Sequence, residues 1–494
     1  MICMFASLHR VPSRLPRCRR FVSSKPTQFG QPVPESHPHL FDSRHDLTPG
    51  IPAEEYEQRR KQLMDMLPNN SIVVAVASPI KYMSSNIFYK HRQASDFWYL
   101  TGFEEPDSAV ILEKTSSSKG YRMTLFSAGK DLAKEKWDGA RTGYTDVERI
   151  FKADNAVPIS TFTSQLKSLV SASSNVFVDI PDTPRRSSSK SLLKYLTSSI
   201  RGDPELALES LSSMKRRALA PEVAKLRHVK SKAEQAVMHK AATISGRAHA
   251  KTMRFAQPGM PESALAAHFE YVCALGGSQR PAYVPVVASG ANSLIIHYTS
   301  NNMTLGKDDL VLIDAGCEYN GYASDITRTF PASGTFTNPQ RDLYSAVLAA
   351  QRELVALCTE EASVTLHDLH RMSLKLLRTE LGQIGFNLEG RSASDLDRVL
   401  YPHYLSHPIG IDLHESAWFD RSATLREGNV ITVEPGVYVP PTANFPKWFH
   451  NLGVRIEDEV LVTKSDPIVL SASAPKEIED VEGACQGLLG FEAI

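Results

Sequence analysis

The chain has 494 residues, 42% hydrophobic and 22% charged, which is enough for two sizeable soluble domains. Its 55 basic residues balance 55 acidic ones, so no global field points to nucleic acid, and no uninterrupted apolar run is long enough to span a bilayer. The cysteines Cys3, Cys18, Cys273, Cys317, Cys358 and Cys485 form no CxxC pair or regular spacing, so neither a disulfide framework nor a zinc site is indicated and a reducing compartment is expected.

The first 34 residues carry Arg10, Arg14, Arg17, Arg19, Arg20 and Lys25 with several serines, and no acid precedes Glu35. This fits a mitochondrial presequence and lacks the apolar core of a secretory signal; because Pro12 and Pro16 interrupt any amphipathic helix, a disordered basic tail is the alternative. Cleavage two residues after Arg19 would expose Phe21. A helix is predicted over residues 53–66, then strands at 71–77, 108–112 and 123–126, an α/β alternation. Serine-rich stretches at 171–174 and 185–190 read as surface loop. Near residue 220 the texture changes. Ser231 and Glu234 form a capping-box pattern, and Val237, Ala241, Ile244 and Ala248 recur at helical spacing, so a long helix opens a second domain. Another helix should start near Glu262, and strands and turns follow from residue 281, with a helical insertion around 342–381.

The stretch DAGCEYNGYASD, residues 314–325, follows the apolar run Leu310-Val-Leu-Ile313. Asn320-Gly321 is a type I′ hairpin signal that sets Tyr319 opposite Tyr322, Gly316 opposite Asp325 and Asp314 opposite Thr327. Both carboxylates then point to one face on a cross-strand diagonal, with Gly316 leaving room between them. Solvated surface acids and a divalent-metal site are both compatible with this motif; the apolar run before it disfavours the first.

Downstream, His403, His407 and His414 fall within twelve residues of a loop-like segment with Pro408 and Gly410. A β-branched run ends in Glu434-Pro-Gly, and a Val-Arg-Ile-Glu-Asp run places Arg455 and Glu457 on one strand face with Asp458 pointing away. Asp314, Asp325, His407, Glu434 and Glu457 together make four carboxylates and one imidazole, an oxygen-rich set suited to two manganese ions more than to a structural zinc.

In this order the residues resemble the five-ligand signature of the pita-bread metallopeptidases, in the Xaa-Pro aminopeptidase branch, and the likeness extends over roughly residues 45–470. It implies an α/β (α+β) architecture, an N-terminal creatinase-like domain followed by a pita-bread catalytic domain. The divisions expected are 1–40 presequence and leader, 41–220 N-terminal domain, 221–475 catalytic domain and 476–494 tail. It further implies two divalent metals, with Asp325 and Glu457 shared, Asp314 completing one and His407 and Glu434 the other. Glu434 would shuttle the proton, His297 would lie near the leaving side, His414 would stabilise the oxyanion, and His403 and Arg455 would wall the S1′ pocket. The run at residues 92–102 resembles the family's N-terminal-domain signature, implying that its aromatics close the active site of a partner subunit in a homodimer or homotetramer. Two departures, Tyr404 for a common glycine and Pro408 for a hydrophobic residue, bear on S1′ preference.

The leader resembles that of the mitochondrial members, including intermediate-cleaving aminopeptidases. The implied partners are therefore peptide or protein N-termini of imported mitochondrial proteins, beginning with bulky Tyr, Leu or Phe, in the matrix or at the inner membrane. A general Xaa-Pro aminopeptidase, an Xaa-Pro dipeptidase and a non-catalytic pita-bread binding protein are the alternatives.

Overall fold

A computed structural model of the protein describes residues 28–178, 215–389 and 394–489. Residues 1–27 of the presequence and leader, Phe21 among them, and the 185–190 loop lie outside the described residues, whereas residues 28–40 are placed, with Phe29, Gln31 and Val33 buried and Gln31 donating to the Gly102 carbonyl, so this end of the expected leader packs on the N-terminal domain.

The Ala53–Met66 helix starts on the expected residue, with Glu54 and Glu55 in its first turn, where acids complement the exposed amide ends. It packs on a six-stranded mixed sheet with Ser71–Val76 and Ala109–Lys114 at its centre. Both central strands are buried on both faces, which is why they read as continuous apolar runs. The 171–174 stretch is not wholly loop: Ser171 and Ala172 end the Phe162–Ala172 helix, because serine tolerates a last turn in which its hydroxyl bonds back to the Lys167 carbonyl.

The long helix expected near the start of the second domain begins at the capping box. Ser231 Oγ accepts from Glu234 N and Glu234 Oε2 from Ser231 N, opening a helix, Lys232–Phe255, that buries Val237, Ala241, Ile244 and Ala248. Helices Glu262–Leu275, Asn338–Ala356 and Leu366–Gln383 join it, the last two occupying the expected insertion. Residues 476–494, expected as a tail, include the helix Ile478–Gln486, which buries Val481 and Ala484 in the core of the second domain.

Two interrupted antiparallel ribbons form the centre of this domain. In the first, Leu310–Asp314 pairs with Thr327–Pro331, and Cys317–Tyr319 pairs with Tyr322–Ala323 beyond a break. In the second, Val430–Val433 pairs with Asp458–Leu461, and Gly436–Tyr438 with Gly453–Arg455, the break falling at Glu434-Pro435 opposite Ile456-Glu457. Proline cannot donate to the ladder, so Pro435 enforces the second break. Among the described residues, no helix is long and apolar enough to cross a membrane.

Candidate metal centre

The Asn-Gly hairpin adopts the expected register, with Tyr319 opposite Tyr322 and Asp314 opposite Thr327. Asn320 and Gly321 have φ of 48° and 84°, the pair of positive values that a type I′ turn requires. The Trp98 ring would lie 2.6 Å from a Cβ at Gly321. Trp98 also meets Tyr322 and Tyr56 edge-on, and Phe97, Trp98 and Tyr99 are all buried within their own chain. The expectation that these aromatics reach a partner's active site is therefore corrected: they clamp the outer side of the hairpin, because burying large rings against Tyr322 and the Ala53–Met66 helix removes more apolar surface from water than exposing them.

Gly316 also acts differently from expectation. Its missing Cβ would fall 1.8 Å from the Ser324 carbonyl oxygen, so glycine lets the two strand backbones close on each other rather than making space between carboxylates. Gly316→Ala should cost about 1–3 kcal/mol by overpacking and weaken metal retention together, read as a denaturation midpoint and as metal content after gel filtration.

The acids converge at the ribbon breaks. Ligand-capable atoms of Asp325, His407 and Glu457, all buried, lie within 4.8 Å of one another. His407 Nε2 is 3.3 Å from Asp325 Oδ2 and 3.8 Å from Glu434 Oε1. Asp314 joins through Tyr283, whose hydroxyl lies 2.5 Å from Asp314 Oδ1 and 2.6 Å from Asp325 Oδ1 and donates its single hydrogen to one of them. Thr327 Oγ1 donates to Glu457 Oε2, linking the ribbons, and Asp325 N donates to the buried Glu459 carboxylate.

The histidine segment is not a free loop. Thr432 N donates to the His407 carbonyl, Glu434 N to that of Leu405 and Ile409 N reaches Val430 O, so residues 405–409 lie along the second ribbon's edge. Pro408 and Gly410 disguise this, since proline is tolerated on an edge whose N–H is not needed. The His414 ring meets that of His407 at 4.3 Å, and both His414 and His297 are exposed. His403 Nε2 lies 2.9 Å from Tyr438 Oη and its Nδ1 lies 3.7 Å from Glu434. Arg455 is 2% exposed and donates to Asp314 Oδ2, Thr327 Oγ1 and Tyr438 Oη, so its guanidinium stands behind Asp314. Tyr404 points away from these groups, stacked on His370 with Arg421 over its ring.

Four carboxylates, Asp325 and Glu457 buried and Asp314 and Glu434 half-buried, face one guanidinium and one imidazole. Burial, with Asp325, Glu434 and Asp314 close by, pushes Glu457 well above the ordinary carboxylate range, and burial raises Glu434 to about 8. Burial opposes the ionised form of Asp325 as well, but its contact with His407 outweighs this and lowers its pKa. Burial, then Arg455, pushes His403 down to about 3. A crowd of acids without matching cations fits divalent metal, which converts their repulsion into ligation.

The sign of the pH dependence follows. In metal-free protein Glu434 keeps its proton up to about 8, whereas an unfolded glutamate releases it near 4.5. Native protein then binds more protons between these values, so metal-free stability falls as pH rises from about 5 to 8. Metal competes with those protons, so the melting gap between metal-loaded and chelated protein should widen over the same interval, measured by scanning calorimetry.

Tyr283 and Glu459 escaped the sequence reading. Tyr283 lies between Pro281 and Pro285 with no periodic signal, and Glu459 looks like one more acid in a charged run.

A family model described as metallopeptidase family M24 matches residues 236–464, and one described as aminopeptidase P, N-terminal domain, matches residues 56–177. The chain is 37% identical to "Intermediate cleaving peptidase 55, mitochondrial" of Arabidopsis thaliana, covering 92% of this chain and 87% of that one. It is 35% identical to "Xaa-Pro aminopeptidase 3" of Homo sapiens, over 98% of this chain and 95% of the relative. A crystal structure of Icp55 from Saccharomyces cerevisiae superposes with a TM-score of 0.80 at 35% identity, covering 90% of this chain and 99% of that chain.

Proposed function

The chain belongs to metallopeptidase family M24 and is a metallo-aminopeptidase of the aminopeptidase P type, and on that premise we propose that it trims mitochondrial precursor intermediates, removing one bulky N-terminal residue after presequence cleavage. The observation that carries this reading is the convergence of acids from both ribbon breaks on His407, in a chain similar to intermediate-cleaving peptidases over nearly its whole length.

In this reading Asp314, Asp325, His407, Glu434 and Glu457 would hold two divalent ions, and the oxygen-rich donors favour manganese. Such ions lower the pKa of a bound water and polarise the scissile carbonyl. The chain's own groups do the rest. Glu434 would take the nucleophile's proton and hand it to the leaving amine. His414 donates to the developing oxyanion, and the exposed His297 lines the leaving side, close enough to bear on the charge of His403 and His414. His403 and Arg455 wall the S1′ side, held there by Tyr438. We divide the chain into a leader 1–40, an N-terminal domain 41–220, a catalytic domain 221–475 and a final segment 476–494 whose helix Ile478–Gln486 packs on the catalytic domain's core.

The protein works in mitochondria, in the matrix or at the inner membrane, as a homodimer or homotetramer. Supporting self-association, the small hairpin of Tyr82–Ser84 and Ile87–Phe88 leaves Tyr82, Met83, Ile87, Phe88 and Tyr89 each more than half exposed. Light scattering after gel filtration reads the assembly.

The human relative's name favours a second reading, general cleavage of Xaa-Pro N-termini. Profiling of mitochondrial protein N-termini with the active protein and with Asp325→Ala separates the two. Accumulation of termini one residue longer and bulky supports precursor trimming; unchanged termini alongside hydrolysis of Xaa-Pro peptides sink it and leave the general aminopeptidase.

A further inference from the structure

Resting on the reading of His414 above, and deepening it, we infer that Arg227 is a positioning residue for the reaction, fastening the turn that carries His414 to the N-terminal domain. The turn is wound around one buried carboxylate. Glu415 N donates to the Pro408 carbonyl at 2.9 Å, and Asp412 N donates to Glu415 Oε2 at 3.1 Å. A Cβ at Gly410 would fall 2.6 Å from the Glu415 carboxylate, so the turn is closed tightly on it.

Arg227, 4% exposed, grips that carboxylate with two prongs, Nε to Oε1 at 3.1 Å and Nη2 to Oε2 at 2.9 Å. The same guanidinium reaches Asp412 at 2.7 Å and Asp96 at 2.8 Å. Asp96 belongs to the Ser95–Thr101 helix of the N-terminal domain, and Ser95 Oγ also donates to Asp412 at 2.6 Å. The residue after His414 and the residue two before it are therefore both tied to an arginine whose third partner is in the other domain. Among the described residues, strands of the catalytic domain reach this turn at its start, Ala323 N donating to the Gly410 carbonyl and Ile409 N to that of Val430, whereas Asp412 and Glu415, on either side of the exposed His414, are held by Arg227.

Buried ion pairs contribute little net stability compared with well-packed apolar groups, whereas they set position narrowly. A displacement of about 1 Å in a group that meets the reacting atoms costs on the order of 100-fold in rate. Three carboxylates in three directions require the planar fork of arginine, which a lysine ammonium cannot reproduce.

The test is a double-mutant cycle on the full-length, metal-loaded protein with a Phe-initiated peptide, comparing Arg227→Lys, His414→Ala and both together. We expect Arg227→Lys to lower kcat roughly 10- to 100-fold with KM and metal content nearly unchanged, and to change kcat less than about threefold once His414 is alanine. Equal losses in both backgrounds, or an unchanged kcat in Arg227→Lys, overturn the inference while leaving the peptidase reading intact. A silent His414→Ala removes the reading of His414 itself and the inference with it. Should Arg227→Lys not fold, Ser95→Ala deletes one hydroxyl bond to Asp412. It is expected to lower kcat by a few-fold with the same dependence on His414, and an unchanged kcat or an equal loss without His414 overturns the inference.

Discussion

Replacing Asp325 by alanine should lower kcat/KM for a Phe-initiated peptide by about 1,000-fold or more and strip the protein of metal, while the fold survives. Losses of this order are typical when one member of a group acting as a unit is removed. Asp325 is 5% exposed at the point where both ribbons and the histidine segment meet: His407 lies 3.3 Å from it and the Tyr283 hydroxyl 2.6 Å. Its backbone N–H, which the substitution leaves in place, is what anchors it to Glu459. Alanine thus removes a donor without dismantling the hairpin. A companion change separates chemistry from stability. In Glu457→Gln a buried carboxylate beside three others becomes neutral, so chelated protein should melt at a higher temperature than chelated wild type, while activity and metal-induced stabilisation are lost. Metal analysis by mass spectrometry and melting with and without chelator read both. Full activity and metal content in Asp325→Ala would remove the metal centre from this position.

Asp458→Ala should destabilise the protein by about 3–5 kcal/mol, the cost usual for removing one partner of a buried ion pair. Asp458 and Arg328 are both fully buried and meet at 2.7 Å. Lys476, Gln351 and Ser471 complete the ring around the carboxylate. Burial alone would raise Asp458, but Arg328 and Lys476 outweigh it and hold the carboxyl well below its usual range. Without Asp458 the Arg328 guanidinium keeps carbonyl partners, including those of Thr327 and Glu457, but not its counter-charge. Since those carbonyls flank site residues, activity should fall along with stability, unlike the neutral-to-stabilising Glu457→Gln in metal-free protein. Urea denaturation with enzyme assays on the residual folded fraction distinguishes the two; a midpoint within experimental scatter of wild type would refute the argument.

Elements governed by a few neighbouring residues were legible along the chain. The 53–66 helix, the Ser231–Glu234 capping box and the Asn320-Gly321 turn each depend on contacts within about one helical or hairpin turn, so the pattern specifies them without help from the rest of the molecule. The histidine segment defeated local reading because Pro408 and Gly410 look like loop chemistry, while its edge pairing depends on a strand more than twenty residues later. Gly316 was misread for a related reason: the close approach that excludes a side chain there is set by where Ser324 lies, not by the spacing of the acids.

The order of acid, acid, imidazole, acid, acid is a property of the sequence alone, and so is the chemistry of the donors, since residue type decides charge and hardness. The tertiary structure decided that the two ribbons break where those acids stand, that Tyr283 and Arg455 bond to the carboxylates while Glu459 accepts from the Asp325 backbone, and that Trp98 braces the hairpin. It also decided that Arg227, nearly two hundred residues before Glu415, grips the turn beside His414. The physical reason is that burial, desolvation and counter-charge belong to the space around a group, and residues distant in the chain supply that space.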